Sequence, residues 1–181
     1  MDVCVPGLSV MPSFLSEKEQ HGLLNWVEGR ADSQWSEIKF RGVTAKRRMI
    51  CFGWEYQTTS RSLTPAPAMP PELVALRTAA GAAMGIATEA AGMEQVILVC
   101  YPPGAGIGAH TDAPVFGEYV MGVSLGGAGR LRFTRRRRDA QVLELSSGAL
   151  YLMEGECRRQ WQHALRPVKE TRYVITFRAL R

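Results

Sequence analysis

The chain has 181 residues, 46% of them hydrophobic and 22% charged, enough apolar material for one packed domain over residues 1–181 and too much for a disordered chain. No run of about 18 apolar residues occurs, the N-terminus lacks a basic segment leading into an apolar core, and the four cysteines (Cys4, Cys51, Cys100, Cys157) show no Cys-x-x-Cys spacing. A membrane span, a secretory leader, a disulfide frame and a cysteine zinc site are therefore not expected; a cytoplasmic monomer with reduced thiols is, and the net charge of +5 favours an anionic partner such as nucleic acid.

In chain order, Leu8-Ser9-Val10-Met11 reads as an extended start. Ser16 followed three residues later by Glu19 is a capping box, and Leu23, Leu24 and Val27 give the helix behind it an apolar stripe that ends near Gly29. His21 lies in that helix with nothing chemical beside it and reads as a surface or packing histidine. The basic run around Lys46-Arg47-Arg48 leads into Met49-Ile50-Cys51-Phe52-Gly53-Trp54-Glu55-Tyr56. On a continuous strand Phe52, Trp54 and Tyr56 would share one face, either a core face or an aromatic wall for stacking a flat base; Gly53, opposite, would admit a close backbone. A proline-rich loop follows, and Pro71 opens a second helix that runs to Gly85.

From Val96 the pattern changes to short strand-like runs between glycine turns, at residues 96–101, 107–112, 119–125, 130–134, 141–145, 149–153, 160–164 and 173–178. Such an order predicts a mainly β, α+β protein: an antiparallel jelly roll at about 96–181, preceded at about 1–95 by helices and a lid segment.

The chemistry concentrates in three places. His110-Thr111-Asp112 puts an imidazole and a carboxylate on one face of an extended segment. His163, in Trp161-Gln162-His163, offers a second imidazole, and a jelly roll brings such distant strands together; two His and one carboxylate on one side of a metal leave the opposite positions open, as oxygen-activating Fe(II) requires. The terminal strand places Arg172, Val174, Thr176 and Arg178 on one face, where two guanidiniums on a half-apolar strand demand anionic partners, a dicarboxylate being well suited.

Tyr101-Pro102-Pro103-Gly104, His110-Thr111-Asp112, Ser124-Leu125-Gly126, Trp161-Gln162-His163 and Arg172-Tyr173-Val174-Ile175-Thr176-Phe177-Arg178 together resemble the AlkB family of Fe(II)/2-oxoglutarate dioxygenases, and Phe52–Tyr56 with Ala113-Pro114-Val115-Phe116 resembles its tRNA-modifying homologues and their bacterial relatives. The resemblance implies a double-stranded β-helix with a nucleotide-recognition lid, and the cofactors Fe(II), 2-oxoglutarate and O2. By the same resemblance His110, Asp112 and His163 bind the metal, Arg172 pairs with the distal carboxylate of 2-oxoglutarate, Tyr101 donates a hydrogen bond to it, and Arg178 lies between its other end and the metal. Val99 and Val174 stand where many members carry Asn, and Pro114 where the DNA-repair prototype is acidic.

The implied substrate is an alkylated base in DNA or RNA, single-stranded or flipped out, and tRNA among them. Phe52, Trp54, Tyr56, Arg47, Arg48, Arg136 and Arg137 are the candidate substrate contacts, the last two from the run Arg135-Arg136-Arg137-Arg138, a phosphate-binding hairpin tip or simply a solvated turn. Demethylation of such bases, hydroxylation of a modified tRNA base, an oxygenase of the same fold acting on protein or a small molecule, and a non-catalytic module all remain as readings at this point.

Overall fold

Strand alternation in the second half of the chain produces a sheet that is apolar on both faces, and that fact organises the molecule. The computed structural model describes residues 5–40, 42–135 and 139–181. Its main sheet has seven strands in the order β1 (Leu8–Met11), β11 (Leu150–Met153), β8 (Phe116–Gly126), β13 (Arg172–Leu180), β6 (Gln95–Tyr101), β3 (Val43–Phe52) and β2 (Ser36–Phe40). A four-stranded sheet, β10 (Asp139–Leu145), β9 (Gly129–Arg135), β12 (Gln162–Leu165) and β7 (Ile107–His110), lies over one face. A hairpin of β4 (Trp54–Gln57) and β5 (Ser62–Pro65) stands apart. All pairings are antiparallel, giving the expected jelly roll.

Successive residues of the central strands serve different cores. Val96, Leu98, Met121, Val123, Ile175 and Phe177 point to the outer face, against α1 (Glu17–Glu28) and α2 (Pro71–Met84). Val99, Tyr101, Val120, Tyr151, Met153 and Val174 point inward, against Leu131, Phe133, Leu143 and Trp161. A sheet covered on both sides needs near-continuous apolar strands, which is why 96–101 and 119–125 stood out in the sequence. No helix among the described residues is long and apolar enough to cross a membrane.

The helix signals hold. The Ser16 hydroxyl accepts from the Glu19 amide and the Glu19 carboxylate accepts from the Ser16 amide, closing the capping box of α1. Pro71 starts α2, and Gly85 ends it in a left-handed conformation. The three described cysteines are free thiols; Cys4 lies outside the described residues.

Two expectations change. The first half is more than helices and a lid, because β1, β2 and β3 complete the main sheet. The strand expected at 160–164 begins two residues later, as β12, because Gly155–Gln160 form α3, whose first residue Gly155 has φ +50°.

Candidate active site

Between the two sheets lies a cavity of about 200 Å³. Its wall is laid out in rows by strand register. Arg172 pairs with Tyr101, Val174 with Val99 and Ser124, Thr176 with Ile97 and Gly122, and Arg178 with Gln95 and Val120. The rows run from a charged deep end, through an apolar waist, to a charged mouth.

At the deep end Arg172 is 0% exposed. It donates through Nη2 to Ser124 Oγ at 2.6 Å and through Nη1 to the carbonyls of Gly127 at 3.1 Å and Leu145 at 3.3 Å. Its Nε has no partner, and no carboxylate among the described residues pairs with it. Burial lowers its pKa, opposed by the phenols of Tyr151 and Tyr101. A buried cation held only by neutral oxygens calls for an anion from outside the protein. Gly129 makes the slot, since a Cβ there would sit 2.7 Å from the guanidinium.

The waist is formed by Val99, Val174, Ile97 and the Tyr151 ring. Tyr151 packs against Gly122, where a Cβ would meet its ring at 2.1 Å. Burial pushes the Tyr151 phenol up to about 12 and the Tyr101 phenol up as well, so both stay protonated and able to donate.

The mouth gathers His110, Asp112, His163 and Arg178. His110 and His163 are register partners on β7 and β12, with ring centroids 4.3 Å apart. His110 Nδ1 stands 2.9 Å from the Gly108 carbonyl, which can only accept, so the contact favours the tautomer that carries the proton on Nδ1 and presents Nε2 as the ligating atom. Asp112 lies just past the end of β7 and is 8% exposed. Its Oδ1 is 2.8 Å from Arg178 Nε and its Oδ2 3.8 Å from His163 Nε2. The Arg178 contact is an ion pair by distance whose N–H is not aligned as a hydrogen bond. Burial opposes ionisation of Asp112, but Arg178, then His163, outweigh it and hold the carboxyl down to about 2. Burial takes His163 down to about 4 against the pull of Asp112, so its ring is neutral near pH 7.

This is a donor set of two imidazoles and one carboxylate at the lip of a cavity whose floor is an unneutralised arginine. The 2OG-Fe(II) oxygenase superfamily model matches residues 7–178. The chain belongs to that superfamily. It is a dioxygenase, an oxidoreductase, and its cofactors are Fe(II), 2-oxoglutarate and O2. The oxygenase is AlkB-like: it is 25% identical over 179 residues to "Alkylated DNA repair protein ALKBH8 homolog" of Arabidopsis thaliana, covering 88% of this chain and 50% of that protein. It thus spans half the length of that curated relative. In fold it is similar to OsALKBH1, with a TM-score of 0.80, 18% identity and coverage of 98% of this chain and 99% of the other. It is also similar to a Pseudomonas putida prolyl-4-hydroxylase, with a TM-score of 0.71, 16% identity and coverage of 97% and 93%.

The residues fit these cofactors. Imidazole and carboxylate donors with open positions opposite suit Fe(II), and the lone Arg172 suits a carboxylate. Among the described residues no three His, Cys, Asp or Glu side chains are already converged on one point as a metal cage. The two rings lie against each other and Asp112 contacts Arg178, so the three side chains are gathered in one place.

The other sequence-predicted residues divide sharply in the oxygenase. Arg47 lines the cavity, donating to the Gly106 carbonyl at 3.3 Å. Arg48, its neighbour on β3, faces the opposite side, where it pairs with Asp32 and lies over Trp35, and so does not belong to the site. Phe52 also drops out, because it is buried in the outer core. Gly53 has φ +74° and ends β3, so Phe52, Trp54 and Tyr56 do not lie on one continuous strand. As expected, Gly53 admits a backbone: a Cβ there would sit 2.0 Å from the Glu94 carbonyl oxygen. Trp54 is half-buried in the hairpin, whereas Tyr56 reaches the mouth, edge-on to Phe116 with centroids 5.8 Å apart. Arg136 and Arg137 lie outside the described residues.

Three residues about the site were missed: Tyr151, Gln95 and Arg158. Arg158, on α3 and 6% exposed, donates to the carbonyls of Asp112 at 3.2 Å, Ala113 at 3.0 Å and Phe116 at 3.1 Å. It pins the segment that carries Asp112. An arginine in a polar stretch carries no sequence signal for such a role.

Proposed function

We propose that this oxygenase holds Fe(II) through His110, Asp112 and His163, holds the far carboxylate of 2-oxoglutarate through Arg172 and Tyr101, and oxidatively demethylates alkylated bases in nucleic acid. When bound, iron and 2-oxoglutarate supply the oxidation: the co-substrate loses CO2 to become succinate, and one atom of O2 enters a substrate C–H bond. On an N-methyl group that gives an N-hydroxymethyl group, which releases formaldehyde and leaves N–H.

The protein's part is positioning. Arg172 and the two phenols would hold the deep end of the co-substrate beside the apolar waist, and Arg178 keeps Asp112 ionised. Arg158 keeps Asp112 in place through the backbone. The observation that carries the nucleic-acid reading is the second cavity, about 360 Å³, which shares His110, Asp112 and Arg178 with the first and is walled by Tyr56 and Phe116. An aromatic pair beside the donor set suits a flat ring turned out of its stack, and the net charge of +5 suits a phosphate backbone. The name of the Arabidopsis relative agrees with this substrate class.

The test is succinate and formaldehyde release with Fe(II), 2-oxoglutarate and ascorbate, comparing methylated single-stranded DNA, methylated RNA and bulk tRNA, with His110→Ala as control. Formaldehyde from methylated oligonucleotides, lost in the variant, is the expected result. Succinate with tRNA and no formaldehyde would replace demethylation by base hydroxylation. Turnover of a protein or small molecule alone would remove the nucleic-acid reading.

A further inference from the structure

Gln95 is 1% exposed, yet only the carbonyl end of its amide is engaged. It begins β6 and faces the cavity side with Ile97, Val99 and Tyr101, opposite Arg178 in register. Its Oε1 accepts from Arg178 Nη1 at 3.2 Å. Arginine has no acceptor, so this contact fixes which end of the amide is oxygen and which is nitrogen. The NH2 end carries two donors, and no hydrogen bond from it is found among the described residues. Gln95 lines the mouth cavity together with Tyr56, Phe116, Thr111 and Asp112.

The other polar groups around it do not take those protons. Asp112 Oδ1 is engaged by Arg178, and its Oδ2 faces His163. Beyond the metal-binding set, the charged and amide groups at the mouth are therefore donors: the Gln95 NH2 and the Arg178 guanidinium. A nearly buried amide donor left without a partner is costly in the empty site and is relieved by an acceptor on whatever enters.

We infer that Gln95 is a specificity-determining residue whose NH2 donates to a carbonyl oxygen of the substrate ring, so that the oxygenase favours oxo-bearing bases over adenine. This rests on the nucleic-acid reading above. A uracil-type ring presents C=O groups beside its ring nitrogens. The adenine edge instead presents an amino group, which would set donor against donor, and recognition built on one such bond rejects the mismatched edge.

The experiment compares single-stranded oligonucleotides of one sequence carrying either N3-methyluracil or N1-methyladenine, with wild type and Gln95→Met. Both kcat/KM and the affinity of the oxygen-free Mn(II)-loaded protein for each oligonucleotide are measured. Methionine keeps the length and removes the donor. The ratio between the two bases within one protein cancels any loss common to both, including a weakened Arg178. The expected result is a wild-type preference for N3-methyluracil that falls about tenfold in Gln95→Met, in rate and affinity alike. An unchanged ratio, even with both rates lowered, would make Gln95 a support for Arg178 and overturn the inference, as would a wild-type preference for N1-methyladenine. If wild type processes neither oligonucleotide but oxidises a non-nucleic substrate, the nucleic-acid reading fails and takes this inference with it. If both bases are processed with no dependence on residue 95, only the inference fails.

Discussion

The two ends of the cavity are built by different means. At the deep end three side chains stand on strands paired on both sides: Tyr101 on β6, Arg172 on β13, Ser124 on β8. At the mouth Asp112 sits beyond the end of β7, Tyr56 comes from a separate hairpin, and the segment between Asp112 and Phe116 is held from behind by Arg158. A ligand common to a whole superfamily can be met by sheet geometry. Groups on turns and hairpins, as Tyr56 is, can change without disturbing the ladder.

The strongest way to break the comparison is to remove a mouth group that the proposed chemistry cannot do without. Asp112→Ala, assayed for succinate release, is expected to fall to background, with the fold retained by circular dichroism. At the deep end Arg172→Met is expected to weaken 2-oxoglutarate binding about 100-fold by calorimetry, the loss of charge-assisted hydrogen bonds, while metal affinity stays the same. Arg158→Met tests the clamp on the mouth: metal affinity is expected to drop about 10-fold with little change in co-substrate affinity of the metal-loaded protein. Gly122→Ala forces a methyl against the Tyr151 ring and is expected to cost about 1–3 kcal/mol in urea unfolding.

The smallest effect is with pH. His163 is held down to about 4 from its ordinary 6.5, so in metal-free protein the unfolded chain takes up a proton that the folded chain refuses. Stability is therefore expected to fall as pH drops from about 6.5 toward about 4, and Asp112, lowered from 3.8 to about 2, extends the loss below that. Urea midpoints across this range check it, and His163→Gln is expected to flatten the upper part of the slope.

The deep end was the more legible half. Period-2 alternation alone put Arg172, Val174, Thr176 and Arg178 on one face, and the sheet kept them there. At the mouth the same rule misled: a single left-handed glycine at residue 53 broke the alternation that was to align Phe52 with Tyr56. The sequence offers Arg47 and Arg48 alike as substrate contacts, although neighbours on a strand face opposite ways; only Arg47 lines the cavity, on β3 beside β6. Gln95 had a signal that went unused, since counting back by twos from Tyr101 through Val99 and Ile97 lands on it. Arg158 had none, because its partners are backbone carbonyls of a turn more than forty positions away.

The apolar waist has a further consequence. Val99 and Val174 face each other across one ladder step and offer no polar foothold between the charged ends. If those ends grip as proposed, their separation is set by strand register and cannot stretch. The wall is then a ruler for carbon chains: an acid one methylene too short or too long can hold the floor or the lip, but not both.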